Sequence, residues 1–85
     1  MTNGASAPAI EAWERRFADD GYVFGDRPNA WLMRQASHWQ PGQRALCVAD
    51  GEGRNGVALA ACGLQVDSFE PSPSAVNKAR SLALR

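Results

Sequence analysis

The stretch from residue 44 to residue 56 constrains this chain more than any other. Arg44-Ala45-Leu46-Cys47-Val48-Ala49 is a short apolar run bounded by turn residues. Its length and composition suit a strand buried on both faces. It passes without a break into Asp50-Gly51-Glu52-Gly53-Arg54-Asn55-Gly56. Glycines there let the backbone turn tightly and approach a ligand, and a helix opening at that point presents free N–H groups. The pattern predicts a helix from about Asn55 to Cys62, closed by Gly63, and a second strand from Leu64 to Phe69. A strand-helix-strand unit of this size implies parallel pairing through a right-handed crossover.

The flanking segments read as helices. Ile10, Trp13 and Phe17 recur at helical spacing and predict a helix from Ala9 to Asp20 with one apolar face, ended by Gly21. Tyr22 to Pro28 reads as a loop, and Asn29 as the N-cap of a second helix. Trp31, Leu32, Gln35, Ala36 and Trp39 share a broad face of that helix, and Gln40-Pro41-Gly42-Gln43 stops it. Ser72-Pro73 supplies an N-cap and first-turn proline for a last helix marked by Ala75, Val76, Ala79 and Leu82 or Ala83. Met1 to Pro8 is small and polar, which predicts a disordered leader. The expected layout is a leader at 1–8, a helical segment at 9–43 and a partial α/β domain at 44–85. Two parallel strands make a poor sheet, because parallel sheets are usually buried on both faces within larger arrays. The expectation is therefore the opening portion of a larger α/β fold.

Composition excludes several classes of function. The chain has 85 residues, 45% hydrophobic and 21% charged, which is ordinary for a globular domain. Nine basic residues balance nine acidic ones. Such a chain offers no electrostatic footprint for nucleic acid. The N-terminus lacks the charged start and apolar stretch of a signal peptide, and no apolar run approaches the ~20 residues of a spanning helix. A cytoplasmic protein with no membrane partner is the expectation. Cys47 and Cys62 form no CxxC pair and read as free buried thiols. His38 is the only histidine, which weakens any metal-site reading.

The chemistry concentrates between Val48 and Ser72. Glu70 ends the second strand, on the order of 20 residues beyond Asp50, which is the offset expected of a ribose-binding carboxylate. A carboxylate there can accept both hydroxyl hydrogens of an adenosine ribose. Gly51-x-Gly53-x-x-Gly56 also matches the dinucleotide fingerprint. Asp50 tilts the choice away from a dinucleotide. Its charge would repel a pyrophosphate, but it suits the cationic amino group of a methionine moiety. Glu52 and Arg54 make the turn more polar than a pyrophosphate loop favours. Arg54 reads equally as a surface residue at a helix start.

Ala45-Leu46-Cys47-Val48-Ala49-Asp50-Gly51-Glu52-Gly53-Arg54-Asn55 resembles the first motif of class I S-adenosylmethionine (SAM) dependent methyltransferases. Its Gly-Arg-Asn variant is similar to that of the tellurite-resistance and thiopurine-methyltransferase-like branch. Val66-Asp67-Ser68-Phe69-Glu70-Pro71-Ser72 resembles the second motif. Trp13-Glu14-Arg15-Arg16-Phe17 and the segment from Gly25 to Leu32 look like the N-terminal helices of that branch.

The resemblance implies a Rossmann-like fold, truncated to the N-terminal helices and the first β-α-β-α unit, with SAM as cofactor. The implied cofactor set is Asp50, Gly51, Glu52, Gly53, Asn55, Glu70, Pro71 and Ser72. Asp50 would sit near the methionine amino group. Gly51 and Gly53 would pass under the methionine and ribose, Glu70 would hold the ribose hydroxyls, and Pro71 and Ser72 would lie near the adenine. Gly56, a third glycine within a helix, and Pro71, which stiffens the turn, depart from the usual pattern. Tyr22, Phe24, Arg27 and Trp31 come from a segment that in this branch folds over the cofactor, where an aromatic can cover a sulfonium. Packing of these residues against the sheet is the commoner use and is the reading adopted. Trp13, Phe17 and Trp39 are assigned to the core. No residue is assigned as catalytic or metal-binding, and the 85-residue chain alone is expected to be inactive. The expected partner is a small-molecule methyl acceptor. Alternatives are a NAD(P)-binding fragment and a non-enzymatic module that self-associates through an open sheet edge.

Overall fold

The computed structural model describes residues 6–85. They form a small mixed α/β domain, with a two-stranded parallel sheet and four α-helices. The order is α1 (Ser6–Phe17), α2 (Ala30–Arg34), a short 3₁₀ turn (Ala36–His38), β1 (Arg44–Val48), α3 (Arg54–Ala61), β2 (Gln65–Phe69) and α4 (Pro73–Ala83). β1 and β2 pair in parallel from Arg44 opposite Gln65 to Val48 opposite Phe69. This is the strand-helix-strand unit that the apolar run and glycine turn require.

Local signals set the helix ends where the side chains carry their own partners. The Asn29 side chain accepts the Leu32 N–H at 3.0 Å and caps α2. Ser72 caps α4 in the same way, accepting from Ala75 at 3.2 Å, with Pro73 in the first turn. Gly63, at φ +95°, closes the segment after α3.

Other boundaries depart from the sequence pattern. The first helix spans Ser6–Phe17 rather than 9–20. Its opening includes Ser6, Ala7 and Pro8, so the leader assigned to 1–8 is helical from Ser6 onward, and residues 1–5 lie outside the described residues. Pro8 is tolerated because the first turn has no hydrogen bond for it to remove. The helix stops at Phe17, and the chain beyond it is held by Lys78 Nζ, which donates to the carbonyls of Asp19 and Gly21 at 2.5 and 2.6 Å. The second helix does not run through to Trp39. Beyond Gln35 the bonds tighten to the three-residue spacing, His38 to Gln35 and Trp39 to Ala36, and Trp39 is extended (φ −109°, ψ 149°). Pro41 follows closely and biases the residue before it away from helical geometry.

Core assignment also changes. Phe17, Leu59, Leu64, Ala75 and Leu82 are the buried apolar residues, and they join α1, α3 and α4 to the sheet. Trp13, assigned to the core, is 42% exposed, and Phe24 and Trp31 are 53% and 62% exposed rather than packed against the sheet. Trp39 is half-buried. β1 is not buried on both faces. Leu46 and Val48 stand 70% exposed on the side that no described helix covers, alongside Phe69 on β2. Cys47 and Cys62 are free, but the first is half-buried and the second exposed. No described helix is long and apolar enough to cross a membrane.

Candidate functional site

Both strands end at the same edge of the domain, and the turns that follow them are tied together. Past Val48 the chain enters a left-handed conformation at Ala49 (φ +54°), unusual for a residue with a side chain. Such strain is held only where the surroundings over-determine it. Here the next residue is anchored: the Asp50 N–H donates to the Phe69 carbonyl at 3.2 Å. The turn then closes through the Gly53 N–H on the Asp50 carbonyl, and α3 begins at Arg54.

Glu70, the first residue beyond β2, reaches back across this edge. One of its oxygens accepts the Gly51 N–H at 2.8 Å, and the other accepts the Ser72 N–H at 3.0 Å. The carboxylate is thus fixed by two backbone donors, with each oxygen retaining acceptor capacity. Asp50 lies beside it. One Asp50 oxygen accepts the Gly56 N–H in the first turn of α3 at 3.3 Å, and the other accepts the Ser68 hydroxyl at 3.1 Å. Burial pushes the Asp50 carboxyl above the ordinary carboxylate range. The Ser68 and Gly56 hydrogen bonds oppose that shift, and the neighbouring Glu70 charge adds to it.

These groups line a cleft of about 590 Å³ at the strand ends. Its opposite wall is aromatic. Trp13 and Phe17 stack at 5.6 Å between ring centroids, and Phe24 lies 6.3 and 6.4 Å from them. The Phe17 ring packs on the glycine turn, with Cζ 3.6 Å from the position a Cβ on Gly51 would take. The Arg16 guanidinium sits 4.9 Å from the Trp13 ring and 5.6 Å from Phe24. A largely apolar cleft with two fixed carboxylates suits a ligand that carries hydroxyl donors and positive charge.

Of the residues read from sequence as cofactor contacts, Asp50, Gly51, Glu52, Asn55, Glu70 and Pro71 line this cleft. Gly53 and Ser72 do not line it. Gly53 (φ +87°) lies under α4, where a Cβ would stand 2.6 Å from Ala79 Cβ, so its glycine serves helix-helix contact. Ser72 is fully buried, its hydroxyl donating to Glu14 at 2.7 Å while capping α4. Two of the lining residues are tied to the protein itself. Asn55 accepts the Asn29 N–H at 2.7 Å. Glu52 is 4% exposed and accepts from Val23 and Lys78 at 2.7 and 2.8 Å. Arg54, left open between a surface and a site role, is half-buried and donates to the Arg27 carbonyl at 3.3 Å.

Of the aromatic wall, Trp13 and Phe17 read from sequence as core and Phe24 as packing against the sheet. Helical spacing places Trp13 and Phe17 on one face of α1, but the direction of that face depends on how α1 docks on α4. Among the described residues, no group of three or more His, Cys, Asp or Glu is placed to hold a metal ion. No family model, no curated protein and no solved structure matches this chain.

Proposed function

We propose that this chain carries the cofactor-binding site of a SAM-dependent methyltransferase acting on a small-molecule acceptor, with a Rossmann-like fold. The observation that carries the reading is the tie between Glu70 and Gly51, 2.8 Å from carboxylate to amide, at the shared end of two parallel strands. It sets an acid for a ribose diol directly against a backbone turn, with Asp50 adjacent for a cationic amino group. The aromatic wall of Trp13, Phe17 and Phe24 supplies a surface for adenine or for a sulfonium.

The two carboxylates beside an aromatic wall support SAM by charge. SAM supplies an activated methyl on a cationic sulfur, and the protein's part is to hold it in line with an acceptor. In this chain Glu70 would hold the ribose hydroxyls, Asp50 the ammonium, and Gly51 the close backbone approach. Asp50 also argues against the dinucleotide alternative. Its carboxylate already takes the Gly56 N–H at the opening of α3, the position a pyrophosphate would use.

Calorimetric titration with SAM and, separately, NAD tests this reading, repeated on Glu70→Ala. SAM binding that weakens at least about tenfold in the variant, as for loss of a charged hydrogen-bond partner, is the expected result. NAD binding without SAM binding would overturn it, as would SAM binding unaffected by the substitution.

A further inference from the structure

We infer that the Glu52–Lys78 pair, whose carboxylate is buried, is a clamp that sets the aromatic wall of the cleft, making Glu52 a positioning residue rather than a ligand contact. Glu52 sits inside the glycine turn, where a polar side chain is expected to face the ligand. Both of its oxygens point elsewhere. Oε1 accepts the Val23 N–H at 2.7 Å, and Oε2 accepts Lys78 Nζ at 2.8 Å. Lys78, on α4, uses its other two donors on the carbonyls of Asp19 and Gly21. The Tyr22 hydroxyl returns to the Lys78 carbonyl at 3.1 Å.

The loop is therefore gripped at four points, Asp19, Gly21, Tyr22 and Val23, by two side chains and one carbonyl from the α/β layer. Phe24 comes next in the chain, and it is 53% exposed over the cleft with no burial of its own to hold it. Its place against Trp13 and Phe17 depends on the loop before it. A charge pair at this depth is costly unless every donor and acceptor is met. Here all three ammonium donors and both carboxylate oxygens are met, and each remaining bond ends on this one loop. The pair's net effect is thus to order 19–24 rather than to add stability in general.

The first measurement is amide exchange at Val23 and Phe24 in the ligand-free chain, which is independent of the SAM reading. Lys78→Gln should raise exchange there about tenfold or more relative to the α3 and α4 amides, as local opening without global unfolding. Lys78→Arg, which keeps the donors, should restore most of the protection. Exchange unchanged in Lys78→Gln would overturn the clamp. Should that variant unfold, Tyr22→Phe removes one tie to the loop without stranding a buried charge. Faster Val23 exchange in it supports the clamp, and unchanged exchange overturns it. The second measurement rests on the proposed function and is calorimetry with SAM. Lys78→Gln and Phe24→Ala should each weaken binding by roughly the same factor, and the double variant by no more than either. Loss of binding in Glu52→Gln with full binding in Lys78→Gln would make Glu52 a direct contact and overturn the inference.

Discussion

The Asp50 carboxylate occupies the space that a side chain at position 56 would need. A Cβ on Gly56 would fall well inside contact distance of an Asp50 oxygen and 2.8 Å from the Ser68 hydroxyl. The third glycine of the turn region is therefore explained by the acid that precedes the first. Glycine inside a helix costs about 1 kcal/mol relative to alanine, and here that cost admits a carboxylate to the first turn of α3.

Gly56→Ala should accordingly destabilise the fold despite its better helix propensity. Overpacking costs about 1–3 kcal/mol, against about 1 kcal/mol regained from propensity. A net loss of on the order of 1 kcal/mol corresponds to a fall of roughly 4–8 °C in Tm for a domain of this size. Thermal denaturation checks it, and a rise in Tm would show that Asp50 moves aside at no cost. SAM affinity should drop in the same variant, because the displaced group is Asp50.

Asp50→Asn separates stability from binding. Burial raises the Asp50 carboxyl in the folded state, so the ionised form subtracts stability at neutral pH. Lowering the pH through its raised value relieves that cost. An asparagine can still accept from Gly56 and donate to Ser68 without carrying charge. The variant should have an unchanged or higher Tm at pH 7 and bind SAM about tenfold or more weakly. A lower Tm with full binding is the contrary outcome.

Glu14 works with the opposite sign. Hydrogen bonds from the Ser74 hydroxyl, the Ser74 N–H and the Ser72 hydroxyl hold its carboxyl below the usual glutamate range. Its contribution is fully present above the unfolded value of about 4.3 and is lost as pH falls through the lower folded value. The link joins α1 to the start of α4, so acid should release α1 first. Glu14→Gln should flatten the stability-pH curve below about pH 4.3 while leaving its neutral limb the same shape. Circular dichroism melts across pH 2.5 to 7 would show an unchanged acid slope if the contact were idle.

The two leucines at positions 46 and 59 should differ sharply. Leu59, on α3, is 6% exposed, and Leu59→Ala should cost about 2–5 kcal/mol. Leu46, on β1, is 70% exposed, and Leu46→Thr should change stability by under about 0.5 kcal/mol. Denaturant titration compares them. A large loss from Leu46→Thr would mean that this face is covered in solution, which light scattering at several concentrations would then trace to a second copy or exclude.

What the sequence determined by itself was local. The apolar run, the glycine turn and the N-caps at Asn29 and Ser72 set the order of strands and helices, because each depends on neighbours a few residues away. The placement of Asp50, Gly51 and Glu70 at one edge also follows from it, since parallel strands joined by a helix must end together. Tertiary structure decided the rest. Trp13 and Phe17 share a face of α1 and both line the cleft, yet Phe17 is buried and Trp13 is exposed, because α1 docks on α4 through Glu14 and leaves one end of its stripe open. Lys78 holds the loop after α1 by donating to carbonyls 57 and 59 residues away, a partner no local pattern announces. Glu52 reads as a ligand contact from its place in the turn, and only the fold reveals that its carboxylate is buried and turned to Val23 and Lys78. Spacing along the chain specifies which groups can meet, but hydrogen-bond capacity is assigned in three dimensions, where a buried carboxylate must be satisfied by whatever donor is nearest.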